Sequence, residues 1–563
     1  MLLLLCISFT STLTKAAEAT KVGSWNVAAY KKWWSANTTP EQWITDKKSI
    51  HDQLSVIYKK LGSKRALENK HFNGWNSHLL WLSLFPEDYQ QDNYFKTPEA
   101  QQTFQKIALD QASQQLFLLN LSPHDNQLEA LKIFCKIYQA YPQEMKQYAN
   151  LAVAFSIVYD QPFPEGWPHA FVKKSALPIG DTEPVDRFAF YVKASKEKKL
   201  LLDIRKMQPQ DLKFVVDTPI KLSELQYLQG VKIKSARQLE DLFQVVRYDK
   251  PRLSSGNYIW SNGDYLVFTI GKKGGLCVDQ AYFTIHTGKA LGIPSIMFMG
   301  QGNSGAHAWV GAMKTYGTWG FDYAKFRNED YPVGQSYDPQ TWRRLTDSEC
   351  IYLDKRNESS DTRAKKYLFW AYLNKESTTY LEVLHAARKA APQLILTWEM
   401  ESAVIEKSSD KDQEKFWKRW ISTFTAQNDL KFRGEKRLLA FYLKTDQQRE
   451  YDRLLNSVIK SNKSKREDIV VKVAAEKIFV LIEQNKWEEA DKSFKKTMQY
   501  LRTKAGGALF YNLVQPYVRI CLDEGKKDYA KAAMTRADRA FDAQKGSILD
   551  HDMKQLIKLV DSK

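Results

Sequence analysis

Glycine is distributed unevenly along this chain, and this distribution constrains the fold more than any other feature. Of the 25 glycines among 563 residues, 14 lie between Ser254 and Asp338. Because glycine weakens helices and favours turns, strands and loops should concentrate in that segment. Before and after it, Leu, Gln, Lys and aromatic residues recur at helical spacing. The expected fold class is α+β, with an antiparallel sheet in a central core between mostly α-helical regions.

Four segments follow from this pattern. They are a leader over 1–19, a helical N-terminal region over 20–180, an α+β core over 181–355 and a helical C-terminal region over 356–563. Prolines and glycines between Pro162 and Gly180 mark the first boundary between folded regions. Within the core, the stretch Ser261–Asp264 contains Asn-Gly between two aromatic runs, which predicts a β-hairpin.

The C-terminal region carries a weak repeat. Tyr451, Trp487 and Tyr529 each stand at the start of an expected helix, separated by 36 and 42 residues. The stretch around Trp487 resembles half of a tetratricopeptide repeat, although the spacing is irregular. The alternative is a set of ordinary helical hairpins. Either arrangement predicts a scaffold or a surface for a protein partner.

The composition predicts a folded, basic protein. Hydrophobic residues make up 43% and charged residues 26%, which excludes a disordered chain. Lys and Arg (83) exceed Asp and Glu (65) by 18, so acidic or cell-envelope substrates are electrostatically favoured. No nucleic-acid-binding motif and no isolated basic tract accompanies this charge, so no specific nucleic-acid partner is predicted.

The first residues predict export. Met1–Leu13 is an apolar run with the length of a signal-peptide core, too short to cross a bilayer. Ala17-Glu18-Ala19 fits a cleavage pattern of small residues, so the leader should be removed near Ala19. We therefore expect a secreted, periplasmic or cell-envelope protein without a transmembrane segment in its mature chain.

The cysteines predict neither a disulfide framework nor a metal site. Removal of the leader takes Cys6 and leaves four cysteines, at 135, 277, 350 and 521, too few to staple so long a chain. The sequence contains no C-x-x-C, H-E-x-x-H or calcium-loop pattern. No metal and no cofactor is predicted.

Cys277 is the candidate nucleophile. It follows Gly274 and Gly275 and begins an expected helix that runs to Ala290, before Gly292. At a helix start the unpaired N–H groups and the positive end of the dipole favour thiolate over thiol. The backbone N–H of Cys277 is the expected oxyanion donor, with the Trp260 and Gln280 side chains as alternatives.

A base must accompany the thiol, and His307 is the candidate. It lies in a predicted strand, Ala306–Val310, after a glycine-rich loop. His286 is nine residues after Cys277 on the same helix, about 13 Å along its axis, which is too far.

Asp322 is the candidate group that orients the imidazole. It lies in the next predicted strand, Thr318–Tyr323, beyond a turn. If that turn centres between Lys314 and Thr315, Asp322 and His307 are direct cross-strand neighbours. Asp338 is the second candidate for this position.

These residues together resemble the transglutaminase-like branch of the papain-like cysteine superfamily. The resemblance covers Gly-x-Cys-x-Asp-x-Ala at 275–281, Ala-Leu-Gly-Ile-Pro at 290–294, His-Ala-Trp-Val at 307–310 and a Trp-containing strand ending at Asp322. It implies a Cys277, His307 and Asp322 triad, with the cysteine on a helix packed against an antiparallel sheet. The helical regions lie outside the resemblance.

The expected function is cysteine-dependent acyl transfer from an amide or peptide bond through a thioester. Water as acceptor gives a protease or amidase, and a lysine-like amine gives a transglutaminase; the sequence leaves both open. The main alternative is a catalytically inactive transglutaminase-like scaffold that binds a protein through its helical repeats. A polyanion binder is a third, less supported class.

Overall fold

The structure is a computed structural model that describes residues 27–36, 38–177, 183–302, 306–326, 331, 333–462, 466–501, 506–541, 543 and 545–562. The predicted leader over 1–19 and its cleavage site lie outside the described residues. In the part that the structure describes, no helix is both long and apolar enough to cross a membrane.

In the described residues, helices precede and follow the sheet. Those before the sheet are α1 (Val27–Ala36), α2 (Pro40–Leu61), α3 (Ser63–Glu68), α4 (Lys70–Leu84), α5 (Pro98–Leu109), α6 (Gln111–Asn120), α7 (Gln127–Ala140), α8 (Met145–Val158), α9 (Pro184–Lys196), α10 (Pro209–Val216), α11 (Leu222–Leu228), α12 (Lys250–Ser254), α13 (Val267–Lys273) and α14 (Cys277–Ala290). Three 3₁₀ segments join them, Lys174–Ala176, Ile204–Lys206 and Ala236–Gln244.

The helices after the sheet are α15 (Asp347–Lys355), α16 (Glu358–Leu373), α17 (Tyr380–Ala390), α18 (Ile395–Ile405), α19 (Asp410–Thr423), α20 (Asn428–Lys444), α21 (Gln448–Asn462), α22 (Glu467–Glu483), α23 (Trp487–Leu501), α24 (Gly506–Leu509), α25 (Gln515–Asp523), α26 (Lys527–Ala540) and α27 (Ile548–Ser562). A π-helical turn, Phe510–Val514, joins α24 to α25. Tyr451, Trp487 and Tyr529 all lie in the first turn of their helices, as predicted.

A small antiparallel sheet lies between these helical regions. Its strands are β1 (Ser295–Gln301), β2 (Ala306–Thr315), β3 (Thr318–Tyr323), β4 (Gln335–Tyr337) and β5 (Arg344–Thr346). Within the described residues they pair in the order β3-β2-β1-β4-β5. Within the described residues the α+β class and the helical regions on either side of the sheet are therefore confirmed.

The sheet is buried on both faces, and alternate residues of its strands point to different cores. Ile296, Phe298 and Trp309 join the large core of the N-terminal helices and α16–α18. Met297 and Val310 join a second core with α14 and the segment Ala236–Gln244. Because successive strand residues face opposite sides, the two-residue period of β1 and β2 separates these cores. The sheet thus fixes α14 against its second face.

The end of the chain has a core of its own. The apolar side chains of α22–α27, among them Phe494, Leu513 and Tyr517, form a cluster that has no member in common with the core around α14. The hairpin predicted at Ser261–Asp264 is wrong, because those residues form a loop that leads into α13. Trp260 and Tyr265 beside that loop are buried by tertiary contacts instead of pairing across strands.

Candidate active site

Two glycines determine where α14 begins. Gly274 has a φ of +88°, and a Cβ at that position would lie 2.4 Å from the carbonyl oxygen of Arg247. A Cβ on Gly275 would lie 2.3 Å from the Cβ of Asp279. These close approaches require glycine at both positions. The helix then starts at Cys277 and ends at Ala290, as predicted.

The buried carboxylate of Asp279 holds the helix start in place. It accepts hydrogen bonds of 2.6 Å from the backbone N–H of Leu276, from Arg252 Nη1 and from the Tyr265 hydroxyl. His169 Nε2 contacts the same hydroxyl at 2.9 Å. Sequence reasoning missed this network, because three of its members are distant from Asp279 along the chain. The one sequence signal for this network was the position of Asp279, two residues after the cysteine, where a carboxylate can cap the start of a helix.

Cys277 is buried, with 9% of its surface exposed. Ala308, the residue directly after His307, places its backbone N–H near the sulfur. Burial, the largest cause, and the Asp279 charge raise the pKa of the thiol, while the N–H groups of Ala308, Val278 and Cys277 lower it; the resulting pKa is about 11. The expectation that the helix start holds the sulfur ionised is therefore wrong: desolvation outweighs the N–H groups, and the resting sulfur is a thiol.

His307 lies near the start of β2 and is 4% exposed. Its Nε2 is 2.9 Å from the carbonyl oxygen of Ala324. Since a carbonyl only accepts, Nε2 carries the proton and the lone pair of the neutral ring is on Nδ1. Ala324 has a φ of +61°, an unusual backbone conformation for alanine, and it directs its carbonyl to the ring. Phe326 stacks on the imidazole with ring centres 3.9 Å apart.

The predicted pairing of His307 with Asp322 is wrong. Thr315 pairs with Thr318 and Val310 pairs with Tyr323, so the turn centres between Tyr316 and Gly317. This shift moves Asp322 out of register with His307. The Asp322 side chain is exposed, and the Ala324 carbonyl occupies the orienting position at Nε2.

The other sequence candidates lie elsewhere or are engaged. Both carboxylate oxygens of Asp338 are 2.9 Å from Lys213 Nζ, in a different cavity. His286 is completely buried, as are the side chains packed around it. Trp260 Nε1 donates to the Gly263 carbonyl and Gln280 Nε2 to the Val246 carbonyl, so neither is aimed at a substrate.

Cys277 and His307 line the same cavity, of about 390 Å³. Its walls include the end of β1, strand β4 and, unexpectedly, the C-terminal helices, which contribute Asp468, Lys472 and Tyr511. The backbone N–H of Gly507 in α24 also donates to the Gly302 carbonyl beside the cavity. The C-terminal region therefore forms part of the site instead of standing apart from it.

Tyr248 is a neighbour of the sulfur that sequence reasoning missed. Burial raises the pKa of its hydroxyl, and the Cys277 charge raises it further. Tyr248 pairs with Gly275, directly before α14, in an isolated parallel bridge. The raised pKa keeps this hydroxyl protonated at neutral pH. The nearest sequence signal was its position in the segment before the two glycines.

Among the described residues, no three His, Cys, Asp or Glu side chains are grouped closely enough to hold a metal ion. The four described cysteines are all free and buried. No family model, curated protein or solved structure matches this chain. The chemistry of the site is therefore argued from its geometry.

Proposed function

We propose that this protein is a cysteine-dependent acyl-transfer enzyme that acts on amide or peptide bonds. One observation carries the proposal: the side chains of Cys277 and His307 line one cavity, with the backbone N–H of the residue next to His307 near the Cys277 sulfur. A thiol at a helix start beside an oriented imidazole is the arrangement that nucleophilic catalysis needs. The transglutaminase-like resemblance at 275–322 supports the same chemistry.

The mechanism starts from a neutral pair. Because burial keeps Cys277 protonated, the thiol proton must move to His307 Nδ1 as the sulfur attacks the carbonyl carbon. The Ala324 carbonyl stabilises the resulting imidazolium through Nε2–H. The imidazolium then protonates the leaving amine, the C–N bond breaks and a thioester remains. Water or an amine, deprotonated by Nδ1, resolves the thioester and restores the thiol.

Backbone N–H groups are the best candidates for stabilising the oxyanion. In the first turn of α14 the N–H groups of Asp279 and Gln280 donate to the Leu276 carbonyl, whereas those of Cys277 and Val278 lie beside the sulfur. N–H donors fixed by a helix need no reorganisation during the reaction. The Asp279 network holds these donors in place by fixing Leu276.

The cavity determines what reaches the sulfur. A volume of about 390 Å³ accommodates one large side chain with its flanking backbone. Asp468 and Lys472 place both signs of charge at its rim, and the net charge of +18 favours acidic protein or peptide substrates. With the leader predicted over 1–19, the substrates are proposed to be secreted or cell-envelope proteins.

A second candidate is a catalytically inactive scaffold that binds proteins through its C-terminal helices. The scaffold candidate is favoured by two properties of Cys277, its burial and the raised pKa of its thiol, because an unreactive structural cysteine has both. The two candidates differ in whether a carbonyl carbon becomes bonded to this sulfur.

Acylation by p-nitrophenyl acetate tests the proposal. We expect a burst of p-nitrophenolate and an acetyl adduct that mass spectrometry maps to Cys277, with none on Cys135, Cys350 or Cys521 as internal controls. Cys277→Ser should lose the burst. Casein with a fluorescent amine then distinguishes hydrolysis from cross-linking. Acetylation spread equally over the four cysteines would support the scaffold instead.

A further inference from the structure

A second cavity lies away from the candidate active site. It has a volume of about 460 Å³ and is bordered by β5, α15, α16 and α18. Arg344 on β5 lines both this cavity and the one at Cys277, whereas the remaining lining residues differ. The wall is mixed, with apolar side chains such as Phe214 and Leu353 beside several charged ones.

Lys365 of α16 stands where this cavity meets a smaller apolar pocket. The apolar pocket has about 50 Å³ and is lined by Leu80, Leu84, Leu118, Leu368, Phe369 and Met400. Lys365, Leu121, Ser122 and Leu396 line both spaces. The arrangement is an apolar recess whose mouth carries a cation and opens into a polar chamber.

The Lys365 ammonium has no described partner within hydrogen-bond or ion-pair distance. The other cations near it are engaged: Lys213 contacts both oxygens of Asp338 at 2.9 Å, and Arg356 Nη2 is 3.2 Å from Asp211. Arg356 Nη1 is buried with no hydrogen-bond partner. Lys365 is half-buried, so its ammonium keeps some contact with solvent but lacks a protein acceptor for the part of its charge that is buried.

The charges around Lys365 make an anion favourable there. Burial lowers the pKa of Lys365 most, Asp361 and Asp125 raise it, and Arg356 and Lys213 lower it; the resulting pKa is about 8. The nearest carboxylate on its own helix, Asp361, accepts the Tyr352 hydroxyl. An added carboxylate at the mouth would offset both the burial and the repulsion among the cations.

We propose that these two spaces form a binding site for an amphipathic carboxylate, with the carboxylate at Lys365 and an alkyl chain in the apolar pocket. About 10–15 Å³ of such space holds one water-sized group, so 50 Å³ holds about three to five methylene or methyl groups. Adding the carboxyl group and the carbons that cross the mouth gives a chain of about six to eight carbons. The ligand class is a medium-chain fatty acid, and the site is independent of the function proposed for Cys277.

Isothermal titration of the full chain with sodium octanoate tests the site. We expect saturable binding by the wild type and at least a tenfold loss of affinity in Lys365→Met, which keeps the side-chain length but removes the charge. Lys366→Met is the matched control, since Lys366 lines neither space, and should stay within about twofold of the wild type. Circular dichroism of each variant checks its fold.

If Lys365→Met does not fold, titration of several ligands into the wild type still tests the proposal. Octanoate should bind at least tenfold more tightly than octan-1-ol, which lacks the charge, and than acetate and inorganic phosphate, which lack the chain. Phosphate binding as tightly as octanoate would indicate a simple anion site and overturn the proposal. Absence of octanoate binding, or equal binding by wild type and Lys365→Met, would also overturn it.

Discussion

Substitution of Asp279 by Asn tests whether a buried carboxylate positions the candidate nucleophile. Asp279 is fully buried and accepts three hydrogen bonds of 2.6 Å, one of them from the buried guanidinium of Arg252. Asn keeps the size but leaves Arg252 without its counter-charge. Removing one partner of a buried ion pair costs about 3–5 kcal/mol, and the amide oxygen recovers part of this, so we expect about 3 kcal/mol.

Hydrogen exchange measures this loss locally, without assuming that the whole chain unfolds in one step. A loss of about 3 kcal/mol corresponds to roughly 100-fold faster exchange of amides in α14. Asp264→Asn is the control, since Asp264 is exposed in the neighbouring loop and should leave exchange unchanged. Equal exchange in the two variants would refute the role assigned to Asp279.

Asp279→Asn should also change the pKa of Cys277. The Asp279 charge raises the pKa of Cys277, so removing it should lower that pKa even though the helix start becomes less stable. The pH at which iodoacetamide alkylation of Cys277 reaches half its maximum rate should therefore fall. A rise would show that the carboxylate acts on the thiol only by holding the fold.

Three further predictions follow from particular contacts. Asp322→Asn should keep about half or more of the acylation rate, because its exposed carboxylate does not bind the imidazole; a loss of 100-fold would restore it as a triad member. Gly275→Ala should weaken thermal stability by more than about 1 kcal/mol, since its Cβ would meet Asp279 at 2.3 Å; an unchanged melting temperature would contradict this. Lys365→Met should increase the free energy of unfolding by up to about 3 kcal/mol below pH 8, because folding lowers the Lys365 pKa from 10.5 to about 8. Between pH 8 and 10.5 the unfolded wild type binds a proton at Lys365 that the folded wild type does not, so the wild type becomes more stable as pH rises and the gain from the substitution disappears. Urea titrations at several pH values measure this gain, and a gain that does not change with pH would contradict the prediction.

The sequence predicted local structure near Cys277 well, because the signals there are local. Glycines before the cysteine and Gly292 after Ala290 define both ends of α14, and these limits are confirmed. The strand predicted at Thr318–Tyr323 has the observed bounds, and the one predicted at Ala306–Val310 is the first half of the observed Ala306–Thr315. Helical ends around an α+β centre follow from the distribution of glycine.

Relations between elements were less predictable. Moving the turn centre to Tyr316 and Gly317 changes which residue faces His307, although both strands are correctly placed. The pKa of Cys277 depends on how deeply the sheet and α14 bury the sulfur, which the position at a helix start does not reveal. Lys365 gave no signal, because a lysine in a helix is ordinarily solvated and its cavity forms only between distant helices.

Alkylation of Cys277 in wild type and His307→Ala is the most direct test of the central claim, that an imidazole serves this thiol. With iodoacetamide at pH 7 and peptide mapping, wild-type Cys277 should react at least tenfold faster than Cys350, which is 1% exposed, and His307→Ala should remove that advantage. Equal rates at Cys277 in the two proteins would show that His307 does not activate the sulfur and would contradict the enzyme proposal.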